Sequence, residues 1–429
     1  MYKNGLSYIS SSLFVLLAHF AMLAVVFFNG NYEDTSVVLK LAEIVIGFDL
    51  VYFIVMLFYK QMTYSIDFML LLVLNMSLIF QSCFGGVGLA AKHLITCIAA
   101  IIACRAGYLL CRNHKWIQTK KKYIFAANII IILCILTLTG SRSMWIDLGV
   151  ITIQPSEFLK PAFILACSTS VMEQQNKTRI LGFNIVKTNA ALLGLIILIV
   201  GLQWWCRDLG SLPTFIAIYG CGMVFRLCYP KAKLSKKLII GIGAAAACAV
   251  IAALKFAPAY VQDRLNVDIW SDKTGNGYQQ CRALIAIAEG GWFGKGAGHG
   301  SLYEVAASET DIVFSSICEE WGLLFALMMI IVIIIMLMLP LINPPRSYFH
   351  VTMTTGVCAA FIVQMALNIF GSCNMIPFTG VTLPFLSNGG TSMVTSGFLI
   401  GMLKATQSPV FVRNIVEIPS DEMLERGEN

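Results

Sequence analysis

The side chains capable of chemistry are few, and in an otherwise apolar chain they fall into four polar clusters. In "SRSMWIDLGVITIQPSEFLKPAF", Glu157 and Lys160 stand three residues apart, which places a carboxylate and an ammonium on one helix face within pairing distance. Pro155 suits the first turn of that helix, and Gln154 or Ser156 is available to cap it. Two readings are open: an ion pair closing a helix end, or a pair lining a polar cavity, the usual role of ionisable groups at membrane depth. In "CRDLGSLPTF", Arg207 and Asp208 end one apolar run before a Gly-Ser turn opens the next, and a simple interfacial turn explains much of it. The third cluster, "SDKTGNGYQQCRALIAIAEGGWFGKGAGHG", carries Asp272, Lys273 and eight glycines, with Asp263, Arg264 and Asp268 before it and Thr310-Asp311 after it. Its glycines permit tight turns and close approach of a ligand to the backbone, but no G-x-x-x-x-G-K-[ST] phosphate loop is present. The fourth, "NMIPFTGVTLPFLSNGGTS", is a Pro/Gly-rich, re-entrant-looking stretch that must be buried in protein or line water.

The elements that must position these groups are membrane helices. Of 429 residues, 58% are hydrophobic and 12% charged, and the mean hydropathy is +0.78; soluble domains carry about 25% charged residues. Apolar runs of roughly 18 to 25 residues recur, each enough to cross a hydrocarbon core of about 30 Å. Helices satisfy their own backbone hydrogen bonds in lipid, so the fold class expected is an all-α polytopic membrane protein of about 12 transmembrane helices. They lie near 10–28, 39–58, 67–84, 89–111, 123–139, 157–172, 187–205, 211–228, 237–256, 312–340, 349–371 and 390–407. The span at 157–172 is short enough to be only partly inserted. No cleavage pattern follows the first run, which reads as a first span. Nearly all of the fourteen cysteines sit inside apolar runs as small packing residues.

Lysines and arginines in "CRNHKWIQTKKKY", "NKTRILGFNIVK" and "KAKLSKK" fall on one side, which the positive-inside rule makes cytoplasmic. The net charge of +7 is therefore a topology signal and implies no nucleic-acid partner. Both termini come out inside, and 408–429 forms a cytoplasmic tail. Ala257 to Asp311 comes out outside, as a loop of roughly 55 residues, a length that goes with function or disorder. "YQQCRALIAIAEGGWFG" within it is amphipathic and could lie on the membrane surface. Glu43 and Asp49 could face a neighbouring helix and carry no assigned role. The five histidines form no H-E-x-x-H, and neither G-x-S-x-G nor a dinucleotide fingerprint is present.

The four clusters, in this order, resemble the SEDS family (shape, elongation, division and sporulation), over about Asp67 to Ala405, roughly four-fifths of the chain. "WIDLGVITIQPSEFLKPA" looks like the family's W-I-x-L-G … Q-P-S-E-x-x-K, and "RDLGS" like its P-D-L-G-T. "GNGYQQCRALIAIAEGGWFGKGAGHG" followed by "ETDIVFSSICEEWG" is similar to G-x-G-Y-Q … G-G-x-x-G-x-G … T-D-F-I-F … E-E-x-G, and the fourth cluster to P-x-T-G-x-P-L-P-F-x-S-x-G-G-S-S. Departures are Lys273 after Asp272 where the family has proline, Arg207 for the proline before Asp208, Thr382 for a proline and Thr391 for a serine. Arg264 corresponds to the family's upstream arginine with spacing short by about two residues.

The resemblance implies a ten-helix core at 67–407 with 257–311 as its catalytic loop, and 1–66 as two added N-terminal helices. It implies a peptidoglycan glycosyltransferase in the bacterial cell membrane, polymerising lipid II beside a class B penicillin-binding protein that acts as transpeptidase. The matching catalytic position is Asp272; Glu157 and Lys160 would line the central cavity, with Arg207, Asp208, Arg264, Gln279, Thr310 and Asp311 as further substrate contacts. Asp272 would act as general base towards the acceptor hydroxyl. The leaving pyrophosphate needs positive charge from Lys160, Arg207 or Arg264, or from a divalent cation such as Mg or Mn. A flippase or transporter of an undecaprenyl-linked precursor is the alternative, since a polar cavity flanked by broken helices suits transport as well. A scaffold that only binds the transpeptidase is a third reading.

Overall fold

The structure, a computed structural model, describes residues 3–30, 35–58, 64–138, 144–147, 152–171, 177–180, 183–208, 210–227, 262, 267–271, 276–342, 345 and 347–407. The fold is an all-α polytopic membrane bundle. Its helices are α1 (Lys3–Asn29), α2 (Thr35–Leu57), α3 (Ser65–Cys111), α4 (His114–Thr119), α5 (Lys121–Leu138), α6 (Pro155–Val171), α7 (Lys187–Trp205), α8 (Leu212–Leu227), α9 (Asn276–Gly290), α10 (Val313–Ile342), α11 (Tyr348–Ser372) and α12 (Gly390–Ala405). Two short antiparallel hairpins interrupt them: β1 (Ile146–Asp147) with β2 (Thr152–Ile153), and β3 (Lys177–Ile180) with β4 (Phe183–Val186).

Every expected span except 237–256, which lies outside the described residues, coincides with a described helix. Among those residues 7 helical segments are long and apolar enough to cross a membrane: α1, both arms of α3, α5, α7, α10 and α11. The shortfall from about twelve has physical causes. Lys40, Glu43 and Asp49 interrupt the apolar run of α2, α8 spans only 16 residues, and α6 and α12 span only 17 and 16. Those two short helices are shielded by protein. All of α6 but Phe158 and Ala162 is buried, so it is an inner helix of the bundle. Two kinks are present, one at the boundary expected between 84 and 89 and one inside the expected span 312–340. Gly86 (φ 72°) breaks α3 and Gly322 (φ 86°) breaks α10, conformations that a side chain resists.

The second arm of α3 lies backbone to backbone against α12. A Cβ added at Gly397 or Gly401 would run into the carbonyls of Ala100 or Cys104, and one at Gly107 into that of Phe398. Gly397 and Gly401 form the small-xxx-small spacing that lets membrane helices approach closely. At the end of this contact the Lys404 ammonium donates to Asp67 Oδ1 (2.5 Å), which also accepts from Tyr52 Oη (3.3 Å). Asp49 does face neighbouring helices: its carboxylate meets His19 Nδ1 (2.7 Å) and accepts from Asn75 Nδ2 (2.8 Å), fastening α1 and α2 to α3.

The amphipathic stretch in the long loop packs one face on protein, while Tyr278, Trp292 and Phe293 stay exposed. Ala283 and Ala286 of α9 form a small core with Leu302, Val305 and Ile312. Small residues at these positions let α9 sit close to the 302–312 segment. Gly401→Leu should cost stability on the order of 1–3 kcal/mol through overpacking, read as a fall in unfolding temperature in detergent. Gly194→Ala, where a Cβ meets nothing within 4 Å, should leave that temperature unchanged or slightly higher.

Candidate active site

The four polar clusters converge on one cavity of about 630 Å³, within the roughly 300–1,000 Å³ of small-molecule sites. The first contributes Gln154, Glu157 and Lys160, with Thr152 and Trp145 from the small hairpin. The second contributes Arg207, Asp208 and Ser211, the third Thr310 and Asp311, and the fourth Thr379 to Thr382 and Asn388 to Gly390.

Helix α6 presents the ion pair. Lys160 Nζ lies 2.6 Å from Glu157 Oε1 and donates to Gln364 Oε1 of α11 at 3.0 Å. Gln364 Nε2 in turn donates to the carbonyl of Thr382 (3.1 Å) and the hydroxyls of Thr382 and Ser392 (3.2 and 3.3 Å). Asn368, one turn further along α11, donates to the carbonyls of Asp311 and Val381, both at 2.7 Å. Two amides on one face of α11 therefore hold three of the cavity's walls together. The fourth cluster has no regular structure, and its backbone groups are met from other elements. Ser387 Oγ accepts from Leu383 N–H (2.7 Å), Asn388 N–H donates to the Glu309 carbonyl (2.9 Å), and Gln81 donates to that of Leu386 (2.9 Å).

Arg207 takes a left-handed backbone, φ 57°, which is uncommon for a residue with a side chain and clusters at functional sites. Proline is held near φ −65°, so this turn is one that the family's P-D-L-G-T cannot form, and it brings a guanidinium to the cavity. Asp208 accepts from Ser211 Oγ (3.1 Å). Burial raises its pKa above the ordinary aspartate value; the Ser211 hydroxyl opposes this and the Glu157 charge adds to it. Burial likewise pushes the Asp311 carboxyl up to about 6, against the Thr310 hydroxyl. At neutral pH the cavity thus sets three carboxyl groups against one ammonium and one guanidinium. Such a set can accept hydroxyl protons and orient a sugar. Among the described residues no group of three or more His, Cys, Asp or Glu side chains could hold a metal ion.

Residues 56–409 match the cell cycle protein family of FtsW, RodA and SpoVE. The chain belongs to this family. It is similar to the probable peptidoglycan glycosyltransferase FtsW of Trichlorobacter lovleyi, 27% identical over 320 residues, 72% of this chain and 80% of that one. The FtsW of Alcanivorax borkumensis is 30% identical over 282 residues, 62% and 69% of the two chains. The peptidoglycan glycosyltransferase RodA of Mycobacterium tuberculosis is 27% identical over 273 residues, 62% and 57%. In fold it is like a chain of a peptidoglycan synthase complex (TM-score 0.60, 19% identity, 80% of this chain and 97% of that one). It is also like RodA of Thermus thermophilus (TM-score 0.54, 17%, 80% and 96%).

Within this family fold Glu157, Lys160, Arg207, Asp208, Thr310 and Asp311 share the cavity. Asp272 and Arg264 lie outside the described residues. Gln279 is absent from the cavity lining; its amide donates to the Ala306 carbonyl (3.1 Å), bracing the turn before Asp311. Two glutamates without an assigned role prove central to the glycine run. Glu319 accepts from Ser301 N–H and Leu302 N–H (2.9 Å each), the Ser301 hydroxyl (3.0 Å) and Lys295 Nζ (2.9 Å). Glu320 accepts from Gly298 N–H (3.0 Å).

Wild type minus Asp311→Asn infrared difference spectra, recorded across pH, should isolate one carboxylic C=O band. A raised acid pKa means the proton is held until pH rises through the folded value, so the band should fade near pH 6. Fading near pH 4 would contradict the burial argument.

Proposed function

We propose that this chain is a peptidoglycan glycosyltransferase that polymerises lipid II into glycan strands for elongation, division or sporulation. The observation that carries the proposal is the meeting of all four polar clusters in one cavity of a chain belonging to the FtsW, RodA and SpoVE family. Relatives named peptidoglycan glycosyltransferase support it. The acceptor sugar hydroxyl attacks the anomeric carbon of the donor chain, the bond from that carbon to the pyrophosphate oxygen breaks, and undecaprenyl pyrophosphate leaves. A carboxylate within hydrogen-bond reach takes the hydroxyl proton. Asp272 has that role by its place before "GNGYQ", with a single displacement that inverts an α-linked donor to a β-linkage.

Positive charge for the departing pyrophosphate comes from Lys160, which is paired with Glu157 inside the cavity, from Arg207 on its exposed turn, or from Arg264. Residues 67–407 then form the catalytic membrane core, with 257–311 as its extracellular loop and 1–66 as an addition. The lysine-rich loops and both termini face the cytoplasm of a bacterial cell. A class B penicillin-binding protein fits as partner, by likeness to the chain from a peptidoglycan synthase complex.

The experiment is polymerisation of labelled lipid II by the purified protein, alone and with its transpeptidase. Asp272→Asn should cut strand formation by roughly 10²–10⁴-fold while lipid II still binds. Equal polymer from both proteins removes Asp272 from the chemistry. No polymer from either, with lipid II moved between leaflets of a vesicle, would favour a transporter.

A further inference from the structure

The wall of the active-site cavity at Asn388 is held from behind by a histidine that the proposed chemistry does not use. His93 sits on the second arm of α3 and is fully buried. The break at Gly86 separates this arm from the first, and across it Ser77 Oγ lies 2.9 Å from His93 Nε2. On the other side of the ring, Nδ1 lies 3.4 Å from Asn388 Oδ1, and Asn388 lines the cavity. Asn388 fills the open position of the S-x-G-G run, so the family pattern does not dictate it.

Ser77 has one proton to donate and two acceptors near it, His93 Nε2 at 2.9 Å and the Leu386 carbonyl at 3.4 Å. That carbonyl already accepts from Gln81 Nε2 at 2.9 Å, so the shorter bond, to His93, takes the proton. A ring buried completely, with a hydroxyl and an amide as its partners, is neutral. Nε2 is then the acceptor, and Nδ1 carries the hydrogen and donates to Asn388 Oδ1. The backbone N–H of Asn388 is held by the Glu309 carbonyl (2.9 Å). What remains is the side-chain NH2 group, which has no partner among the described residues.

We propose that His93 is a positioning residue: it turns the Asn388 amide so that its N–H donors point into the cavity, towards an acceptor oxygen of the lipid-linked sugar pyrophosphate. The cavity already holds three carboxyl groups, Glu157, Asp208 and Asp311. An amide turned the other way would add a fourth acceptor where a negatively charged substrate needs donors. The role in turnover rests on the polymerase reading; the hydrogen on Nδ1 does not.

Solid-state NMR of the full-length, isotope-labelled protein in lipid reads the ring directly, with the His93 signals assigned by their loss in His93→Asn. Hydrogen on Nδ1 is expected; hydrogen on Nε2 would overturn the proposal whether or not the protein polymerises lipid II. In polymerisation of labelled lipid II, Asn388→Ala and His93→Leu should each lower kcat/KM about tenfold. The double variant should fall no further, because both changes remove the same interaction. His93→Asn, whose amide nitrogen falls where Nδ1 was, should restore most of the rate. His93→Gln, whose amide nitrogen falls where Nε2 was, should not. Losses that multiply to about a hundredfold, or rescue by glutamine as good as by asparagine, would make His93 merely structural and overturn the proposal. Should His93→Leu fail to fold, His93→Gln takes its place in the double variant. No polymer from wild type would remove the proposed function and leave the NMR result to decide how Asn388 is turned.

Discussion

An ammonium and a carboxylate taken out of water into a membrane bundle must complete each other's hydrogen bonds there, because breaking such a pair leaves an uncompensated buried charge. Glu157 and Lys160 impose that constraint on everything around them. The second partner of Lys160 is Gln364, which requires α11 beside α6. The amide of Gln364 then requires Thr382 and Ser392 within reach, which draws the irregular segment before α12 into the bundle. A single internal ion pair thereby explains why three separate parts of the chain meet at one place.

Irregular backbone at membrane depth survives only where protein or cavity water meets its polar groups. The segment from Thr379 to Gly390 satisfies this through Asn368, Gln364, Gln81 and Ser387, and the same bonds join it to the 307–311 turn that carries Asp311. A parallel arrangement governs the glycine run. Gly290, Gly294 and Gly322 lie where an added Cβ would collide with facing backbone, and Glu319 and Glu320 collect the N–H groups of residues 298, 301 and 302. Positive φ at Gly294, Gly296 and Gly298 gives these glycines a backbone role, so no phosphate loop is needed to explain them.

Much of this was legible in the sequence, and the reasons differ by feature. Long apolar runs identify α1, α5, α7, α10 and α11 because hydropathy acts over a whole helix. The cavity's walls were legible because charges and broken helices are rare in such a chain. Gln364 and Asn368 went unnoticed, although two amides four residues apart on an apolar helix share one face. His19 could not be paired with Asp49 from sequence, since their contact depends on how α1 and α2 fold against α3. The protein packing of α9 could not be read from its pattern, because an amphipathic pattern shows that an apolar face needs cover without showing whether lipid or protein supplies it.

The central claim is that lipid II occupies the cavity bounded by Glu157, Asp208 and Asp311. Its most direct test is photo-crosslinking with a lipid II analogue bearing a diazirine on its disaccharide, followed by peptide mapping. The account predicts labels on Trp145 and on Thr379 to Thr382, chased away by unlabelled lipid II. Labels confined to the lipid-facing surfaces of α1, α5 or α7, or unaffected by the chase, would contradict it.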